Sequence, residues 1–206
     1  MKVLIVDDLK ILRMAIELVL KKDSEIEVIG MVSDGREAVE FCRKQQPDVI
    51  VMDMWMPEYD GAYATKKIKE LNPNIKILVL TTFDDDDTVN RALDSGVDGY
   101  ILKEMEDYQI INAIKSTYAG INVLGRDIYQ RLKEKKIMPS EKYLELSDKE
   151  RELLAYIMKG YSNKEIASIL NYAEGTVRNN ISRLLVKLGL KDRTQLAVFA
   201  VQNGIE

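Results

Sequence analysis

The sequence predicts a doubly wound α/β domain with a five-stranded parallel sheet, followed by a small all-α domain of four helices. Over residues 1–120, short β-branched runs alternate with segments whose apolar residues recur at a helical period. This alternation favours a parallel sheet that helices cover on both faces. After Leu146 only the helical period continues. We therefore predict a first domain over residues 1–119, a linker over 120–143 and a second domain over 144–206.

The first domain is predicted to alternate five strands with five helices. The β-branched runs place the strands at Lys2–Val6, Ile26–Val32, Val49–Asp53, Ile75–Thr81 and Gly99–Leu102. The helical periods place the helices at Ile11–Leu20, Gly35–Lys44, Gly61–Leu71, Asp84–Ser95 and Asp107–Tyr118.

The second domain has the pattern of a helix-turn-helix. Ser147 and Glu150 have the spacing of a capping box, which begins the first of its four helices. The three later helices are predicted from Ser162 or Asn163 to Leu170, over Glu174–Leu188, and from Thr194 onward. A short helix, a tight turn and a longer helix that carries cations are typical of this DNA-binding motif.

Composition excludes several classes of protein. Apolar residues make up 46 % of the 206 residues and charged residues 31 %, as in ordinary globular domains. Cys42, the single cysteine, cannot form an intrachain disulfide, and no apolar run reaches the ~18 residues that span a bilayer. The chain has no histidine, which excludes a Ser-His-Asp triad and a His-ligated zinc site. We therefore expect a cytoplasmic protein with no membrane partner.

The two parts of the chain differ in charge. Residues 1–120 contain 23 acidic and 15 basic side chains, a net charge of −8. Residues 121–206 contain 11 acidic and 15 basic side chains, a net charge of +4. A basic module behind an acidic one suggests that the second module faces a polyanion.

Polar side chains stand where four of the predicted strands end. Asp7 and Asp8 follow the first strand, Asp53 ends the third, Thr81 ends the fourth and Lys103 follows the fifth. An aspartate that ends a strand is usually a turn or helix cap, and Thr81 or Lys103 alone is weaker evidence for a site still. In a doubly wound sheet, however, the carboxyl ends of the strands carry the chemistry, and all five converge on that edge.

Three clustered carboxylates raise one another's pKa unless a cation lies among them. Without histidine or cysteine ligands, their hard oxygen donors favour Mg²⁺. A carboxylate beside Mg²⁺ can attack phosphorus to form an aspartyl phosphate, and a hydroxyl and an ammonium would then bind the phosphoryl oxygens.

The first 120 residues resemble the flavodoxin-like receiver domain of bacterial response regulators. The motifs that carry the resemblance are Val6–Asp8, Met52–Pro57 with Gly61, Leu80–Thr82 and Gly99–Lys103. The resemblance implies that Asp53 is the phosphoacceptor. It further implies that Mg²⁺ is bound by Asp7, Asp8, Asp53 and the backbone carbonyl of Trp55, and that the phosphoryl-binding and switch residues are Thr81, Tyr100 and Lys103. Leu9 replaces a histidine common in this subfamily, which bears on the rates of phosphorylation and dephosphorylation.

Residues Leu146–Gly204 resemble the LuxR-type helix-turn-helix of the NarL/FixJ response regulators. The matching residues are Leu146-Ser147, Glu150–Glu152, Gly160, Asn163–Ala167, Thr176–Arg178 and Lys187-Leu188. The helix-turn-helix pattern and the cations in and after its longer helix predict DNA contacts, and a solvated helix face is the alternative. The predicted contacts are Thr176, Arg178, Asn179, Ser182, Arg183, Lys187 and Lys191. Arg178 suits guanine and Asn179 suits adenine. Asn180 stands where the family often has histidine, so the preferred DNA sequence does not carry over.

The last predicted helix has two apolar sides. Leu196, Phe199 and Ala200 form one side, which we expect to pack inward. Val198 and Val201 are then expected to face outward, and the resemblance implies that they form a dimer contact. Ordinary packing within the domain is the alternative.

The sequence therefore predicts a two-component response regulator and not an enzyme. A sensor histidine kinase would phosphorylate Asp53, and the protein would then bind double-stranded DNA as a homodimer and alter transcription. An aspartate-nucleophile phosphatase on a similar sheet needs a second aspartate where Trp55 stands. A receiver-fold regulator that acts without phosphorylation is the remaining alternative, and the complete set of carboxylates, hydroxyl and ammonium argues against it.

Overall fold

The computed structural model describes residues 1–82, 85–121, 123–126, 128–129 and 141–205. The chain forms two compact units, Met1–Tyr118 and Ala119–Glu206. Among the described residues, none of the helices is both long enough and apolar enough to cross a membrane.

Strands and helices alternate through the N-terminal unit, as the sequence predicts. The strands are β1 (Lys2–Val6), β2 (Glu27–Val32), β3 (Val49–Met52), β4 (Lys76–Thr81) and β5 (Gly99–Leu102). The helices are α1 (Lys10–Leu20), α2 (Gly35–Lys44), α3 (Gly61–Leu71), α4 (Asp86–Ser95) and α5 (Asp107–Tyr118). The bounds of the strands differ from the prediction by one residue at most.

Within the N-terminal unit the strands lie in the order β2-β1-β3-β4-β5. A sixth strand, β6 (Val123–Leu124), was not predicted, because two residues are too few to produce a periodic pattern. The pairs among β1, β2, β3, β4 and β5 are parallel. β1, β3 and β4 are almost wholly buried, which explains why they read as continuous apolar runs and do not alternate.

The register of the central strands brings their carboxyl ends to one edge. Val6 of β1 lies opposite Met52 of β3, so the next residues along the chain, Asp7 and Asp53, leave the sheet side by side. The backbone N–H of Asp53 donates to the carbonyl of Val6 at 2.8 Å. In the same way, the N–H of Lys103 donates to the carbonyl of Thr81 at 2.8 Å.

The C-terminal unit is helical after Glu141. Its helices are α6 (Glu141–Leu144), α7 (Asp148–Met158), α8 (Asn163–Leu170), α9 (Glu174–Leu188) and α10 (Arg193–Gln202). The predicted capping box of Ser147 and Glu150 is present at α7. Ser162, and not Asn163, is the N-cap of α8, and it forms a second capping box with Glu165.

Helix α10 is buried on both sides, which corrects one prediction. Leu196 and Ala200 lie in the core of the unit, as expected. Val198 and Val201 do not face outward, because only 7 % and 5 % of their surfaces are exposed. Val201 lines a cavity of about 260 Å³ together with Leu124, from the segment that precedes the helices. Both apolar sides of α10 are therefore buried within the C-terminal unit. The dimer contact assigned to these two valines stays a prediction, and neither valine offers an exposed surface that supports it.

Candidate functional site

Three carboxylates converge at the carboxyl edge of the sheet. Asp7, Asp8 and Asp53 each place one carboxylate oxygen within 4.8 Å of the others. Only 1 % of the surface of Asp7 and 7 % of that of Asp53 are exposed, whereas Asp8 is half-buried. Like charges this close, with so little water around them, require a compensating cation.

The ammonium of Lys103 supplies that charge. Its Nζ lies 2.6 Å from Oδ2 of Asp7 and 2.8 Å from Oδ2 of Asp53. Burial of the ammonium lowers the pKa of Lys103, but the hydrogen bonds to Asp53 and Asp7 outweigh it, and the pKa lies above its ordinary value. Lys103 is therefore held charged beside the carboxylates of Asp7 and Asp53.

Backbone groups fix the other oxygen of each buried carboxylate. The N–H of Leu9 donates to Oδ1 of Asp7 at 2.9 Å, and the N–H of Trp55 points to Oδ1 of Asp53 at 3.4 Å. The guanidinium of Arg13 donates to the backbone carbonyls of Asp7 and Asp8. These contacts hold the turn after β1 in the shape that presents both carboxylates, and the sequence did not single out Arg13.

The start of α3 packs directly against the end of β3. The N–H of Gly61 donates to the carbonyl of Met54 at 3.1 Å. A Cβ atom at Gly61 would lie 2.3 Å from the carbonyl oxygen of Asp53, so a side chain here would push the end of β3 aside. This close approach explains why glycine belongs to the motif.

The two predicted switch residues lie on neighbouring strands. Thr81 ends β4 and Tyr100 lies in β5, and both are fully buried. In the register, Thr81 faces Leu102 and Tyr100 faces Val79. The structure thus places both residues in the sheet that carries the carboxylates, with Tyr100 two positions away from the strand end.

The loop after Asp53 also contacts α4 through side chains. The indole N–H of Trp55 donates to the hydroxyl of Thr88 at 3.2 Å. The sequence alone did not reveal this contact, because 33 residues separate Trp55 from Thr88 and no periodicity connects them.

The second candidate surface lies on α9, with Lys191 just beyond the end of the helix. Its buried face consists of Val177, Ile181, Leu184 and Leu188. The seven residues predicted to contact DNA are all exposed: Thr176, Arg178, Asn179, Ser182, Arg183, Lys187 and Lys191. A helix that packs on one face and presents polar and cationic groups on the other has the form needed to enter a major groove.

The cations Arg178 and Lys187 of this surface differ in how strongly other residues of the protein already bind them. Arg178 is paired with Glu174 one turn earlier at 3.5 Å, an exposed and weak interaction. The ammonium of Lys187 is engaged more fully, because it contacts both oxygens of Glu150 at 3.0 and 2.8 Å and the carbonyl of Glu145 at 3.2 Å. Lys187 thus ties α9 to the start of α7, and a phosphate would have to compete with Glu150 for it.

Two known protein families match the chain, one in each of its two units. Residues 3–115 match the response regulator receiver domain, and residues 144–200 match the luxR family of bacterial regulatory proteins. The chain belongs to the NarL/FixJ family of two-component response regulators. Its fold, a parallel sheet with flanking helices followed by a helical helix-turn-helix domain, confirms the predicted class.

Relatives of this response regulator match it over nearly its full length. Response regulator protein VraR of Staphylococcus saprophyticus is 40 % identical over 204 residues, which cover 99 % of this chain and 98 % of VraR. The crystal structure of ChrA, from a heme-sensing two-component system, aligns with a TM-score of 0.56 at 27 % identity and covers 100 % of this chain and 98 % of ChrA. RcsB in complex with DNA aligns with a TM-score of 0.60 at 27 % identity, covering 98 % of each chain.

The acidic cluster of this response regulator fits a magnesium ion. Its three side-chain donors are carboxylate oxygens that lie within 4.8 Å of one another, and hard oxygen ligands of this kind are those that Mg²⁺ prefers. Among the described residues, no other group of three or more acidic or cysteine side chains has this geometry.

Proposed function

We propose that Asp53 of this response regulator accepts a phosphoryl group from a sensor histidine kinase in a Mg²⁺-dependent reaction. We further propose that the phosphorylated protein, in the cytoplasm, binds double-stranded DNA as a homodimer and alters transcription. The observation that carries the proposal is the buried Asp53 carboxylate, which lies between two further carboxylates and the ammonium of Lys103.

The chemistry assigns a role to each group. An oxygen of Asp53 attacks phosphorus as the bond from phosphorus to the nitrogen of the kinase phosphohistidine breaks, and the imidazole leaves with the electron pair. The ammonium of Lys103 and the hydroxyl of Thr81 bind the phosphoryl oxygens. Asp7, Asp8, Asp53 and the carbonyl of Trp55 would hold Mg²⁺, which neutralises charge when bound.

Asp53→Asn is expected to abolish phosphorylation, because the amide cannot act as the nucleophile. The full chain is incubated with a small phosphodonor, with Mg²⁺ or with a chelator, and its intact mass is measured. The wild type should gain one phosphoryl group only with Mg²⁺. Asp48→Asn is the matched control, since Asp48 lies at the opposite end of β3 and should leave phosphorylation unchanged. A phosphoryl adduct that persists in Asp53→Asn would refute the assignment.

Thr81→Ala is expected to uncouple phosphorylation from dimerisation. The phosphoryl group can shift an equilibrium only by its differential interaction with two states, and the Thr81 hydroxyl supplies part of that difference. Complete switching from 1:99 to 99:1 requires ~5.5 kcal/mol. Sedimentation before and after phosphorylation should show a rise in the dimer fraction of the wild type and a much smaller rise in Thr81→Ala. The exposed neighbour Thr82→Ala is the control, and equal responses in all three proteins would contradict the role of Thr81.

A further inference from the structure

A directed chain of hydrogen bonds connects the phosphoacceptor loop to α4. The indole N–H of Trp55 can only donate, so the hydroxyl oxygen of Thr88, 3.2 Å away, must accept. The single hydrogen of that hydroxyl is then left for Oδ2 of Asp85, which lies 2.7 Å away and accepts only. The order from Trp55 through Thr88 to Asp85 is therefore fixed, and each bond polarises the next.

Thr88 is a rigid partner for the indole. It is buried, with 2 % of its surface exposed, and its backbone N–H donates to Oδ1 of Asp85, the N-cap of α4, at 3.0 Å. One side chain, Asp85, thus fixes both the backbone and the hydroxyl of Thr88. Trp55, by contrast, is 50 % exposed, and the hydrogen bond to Thr88 limits where its ring can lie.

The main chain of Trp55, unlike its indole, is part of the carboxylate site. Its backbone N–H points to Oδ1 of Asp53, and its carbonyl is the expected backbone ligand of Mg²⁺. We propose that Thr88 is a positioning residue for the phosphoacceptor site. Through its hydrogen bond with the indole, Thr88 holds the main chain of Trp55 in the orientation that binds the metal. This inference rests on the proposed function, since it concerns the same Mg²⁺ site.

The physical reason is preorganisation. Mg²⁺ demands near-ideal octahedral geometry and gives up its waters reluctantly, so a carbonyl that must first be ordered binds it more weakly. Groups that orient a metal ligand from outside the coordination shell typically change affinity 10–100-fold when removed. Thr88 acts through one further residue and a neutral hydrogen bond, so we expect an effect of about 3- to 10-fold.

The test is a Mg²⁺ titration of the full chain, followed by the fluorescence of Trp55, which is the single tryptophan of the sequence. Thr88→Val removes the hydroxyl at nearly constant volume and should weaken Mg²⁺ binding about 3- to 10-fold. Thr88→Ser keeps the hydroxyl and should bind within about twofold of the wild type. Rescue by serine separates the hydrogen bond from a merely structural role of the side chain.

Arg91→Gln is the matched control. Arg91 also connects α4 to the loop before α3, because its guanidinium pairs with the carboxylate of Asp60. It should leave the Mg²⁺ affinity within about twofold of the wild type, as an exposed pair contributes little. Equal weakening in Arg91→Gln and Thr88→Val would overturn the inference, because general loosening of α4 would then explain both.

The remaining outcomes separate this inference from the proposed function. A wild type that neither responds to Mg²⁺ nor becomes phosphorylated would refute both. A wild type that does both, with Thr88→Val unchanged or Thr88→Ser equally weakened, would overturn the role of Thr88 alone. If Thr88→Val fails to fold, Trp55→Phe removes the donor from the other partner, and the Mg²⁺ dependence of its phosphorylation is followed by intact mass. An unchanged Mg²⁺ requirement in that variant would also overturn the inference.

Discussion

Lys103→Gln is expected to destabilise the N-terminal unit by about 3 kcal/mol when Mg²⁺ is absent, because removing one partner leaves buried charges uncompensated. The ammonium lies within 2.8 Å of both Asp7 and Asp53, and its side chain is only 13 % exposed. Added Mg²⁺ should restore part of the loss, since it neutralises the same carboxylates. Denaturant unfolding followed by Trp55 fluorescence, with a chelator and with Mg²⁺, measures both effects in this unit.

Lys115→Gln is the matched control for that prediction. The ammonium of Lys115 also contacts two carboxylates, those of Asp23 and Glu25, but its side chain is 36 % exposed. Its removal should destabilise the unit much less than the removal of Lys103 does, with no recovery on addition of Mg²⁺. Equal losses in Lys103→Gln and Lys115→Gln, both independent of Mg²⁺, would show that the carboxylate cluster needs no compensating charge.

The pH dependence of the Lys103 contribution follows from its pKa. Because the pKa of Lys103 is raised in the folded protein, its stabilisation is complete below the ordinary value of 10.5. The contribution is lost as the pH rises through the folded pKa. Comparison of the wild type with Lys103→Gln near neutral pH therefore measures the full effect.

The carboxylate site could be predicted from the sequence because it depends on backbone topology. Parallel strands end at the same edge of a sheet, so residues that directly follow them, such as Asp7 and Asp53, must meet whatever their side chains do. The buried strands also have continuous apolar runs that fix their bounds closely. The structure then adds the distances, and in particular the two contacts of Lys103, which no strand pattern specifies.

Other contacts depend on how separate elements pack, and the sequence did not reveal them. The bond from Trp55 to Thr88 requires a particular side-chain orientation over a helix that is remote in the chain. The pair of Lys187 and Glu150 connects residues 37 positions apart. Helix α10 is apolar on both sides, so periodicity alone could not decide whether Val201 faces the protein or a second copy.

The α9 surface leads to a prediction with a large effect on DNA binding. Arg178→Ala is expected to cost ~1–3 kcal/mol on a target duplex and to relax the preference at one base pair, because a bidentate contact to guanine is lost. The exposed pair with Glu174 is weak enough for DNA to replace it. The target is first selected from random duplexes, and binding is then titrated at several salt concentrations on target and scrambled DNA.

Arg178→Lys distinguishes base reading from phosphate contact. Lysine keeps the charge but cannot form the planar two-donor contact with a base. If Arg178 reads a base, Arg178→Lys should therefore lower the specificity for the target, while binding to scrambled DNA and its salt dependence stay unchanged. Lys187→Ala provides the contrast. A simple phosphate contact would weaken all sequences alike and reduce the salt slope by about one per copy, whereas a side chain already held by Glu150 should change it by less. If Arg178→Ala and Arg178→Lys both keep the affinity and base preference of the wild type, α9 does not read the sequence through this residue.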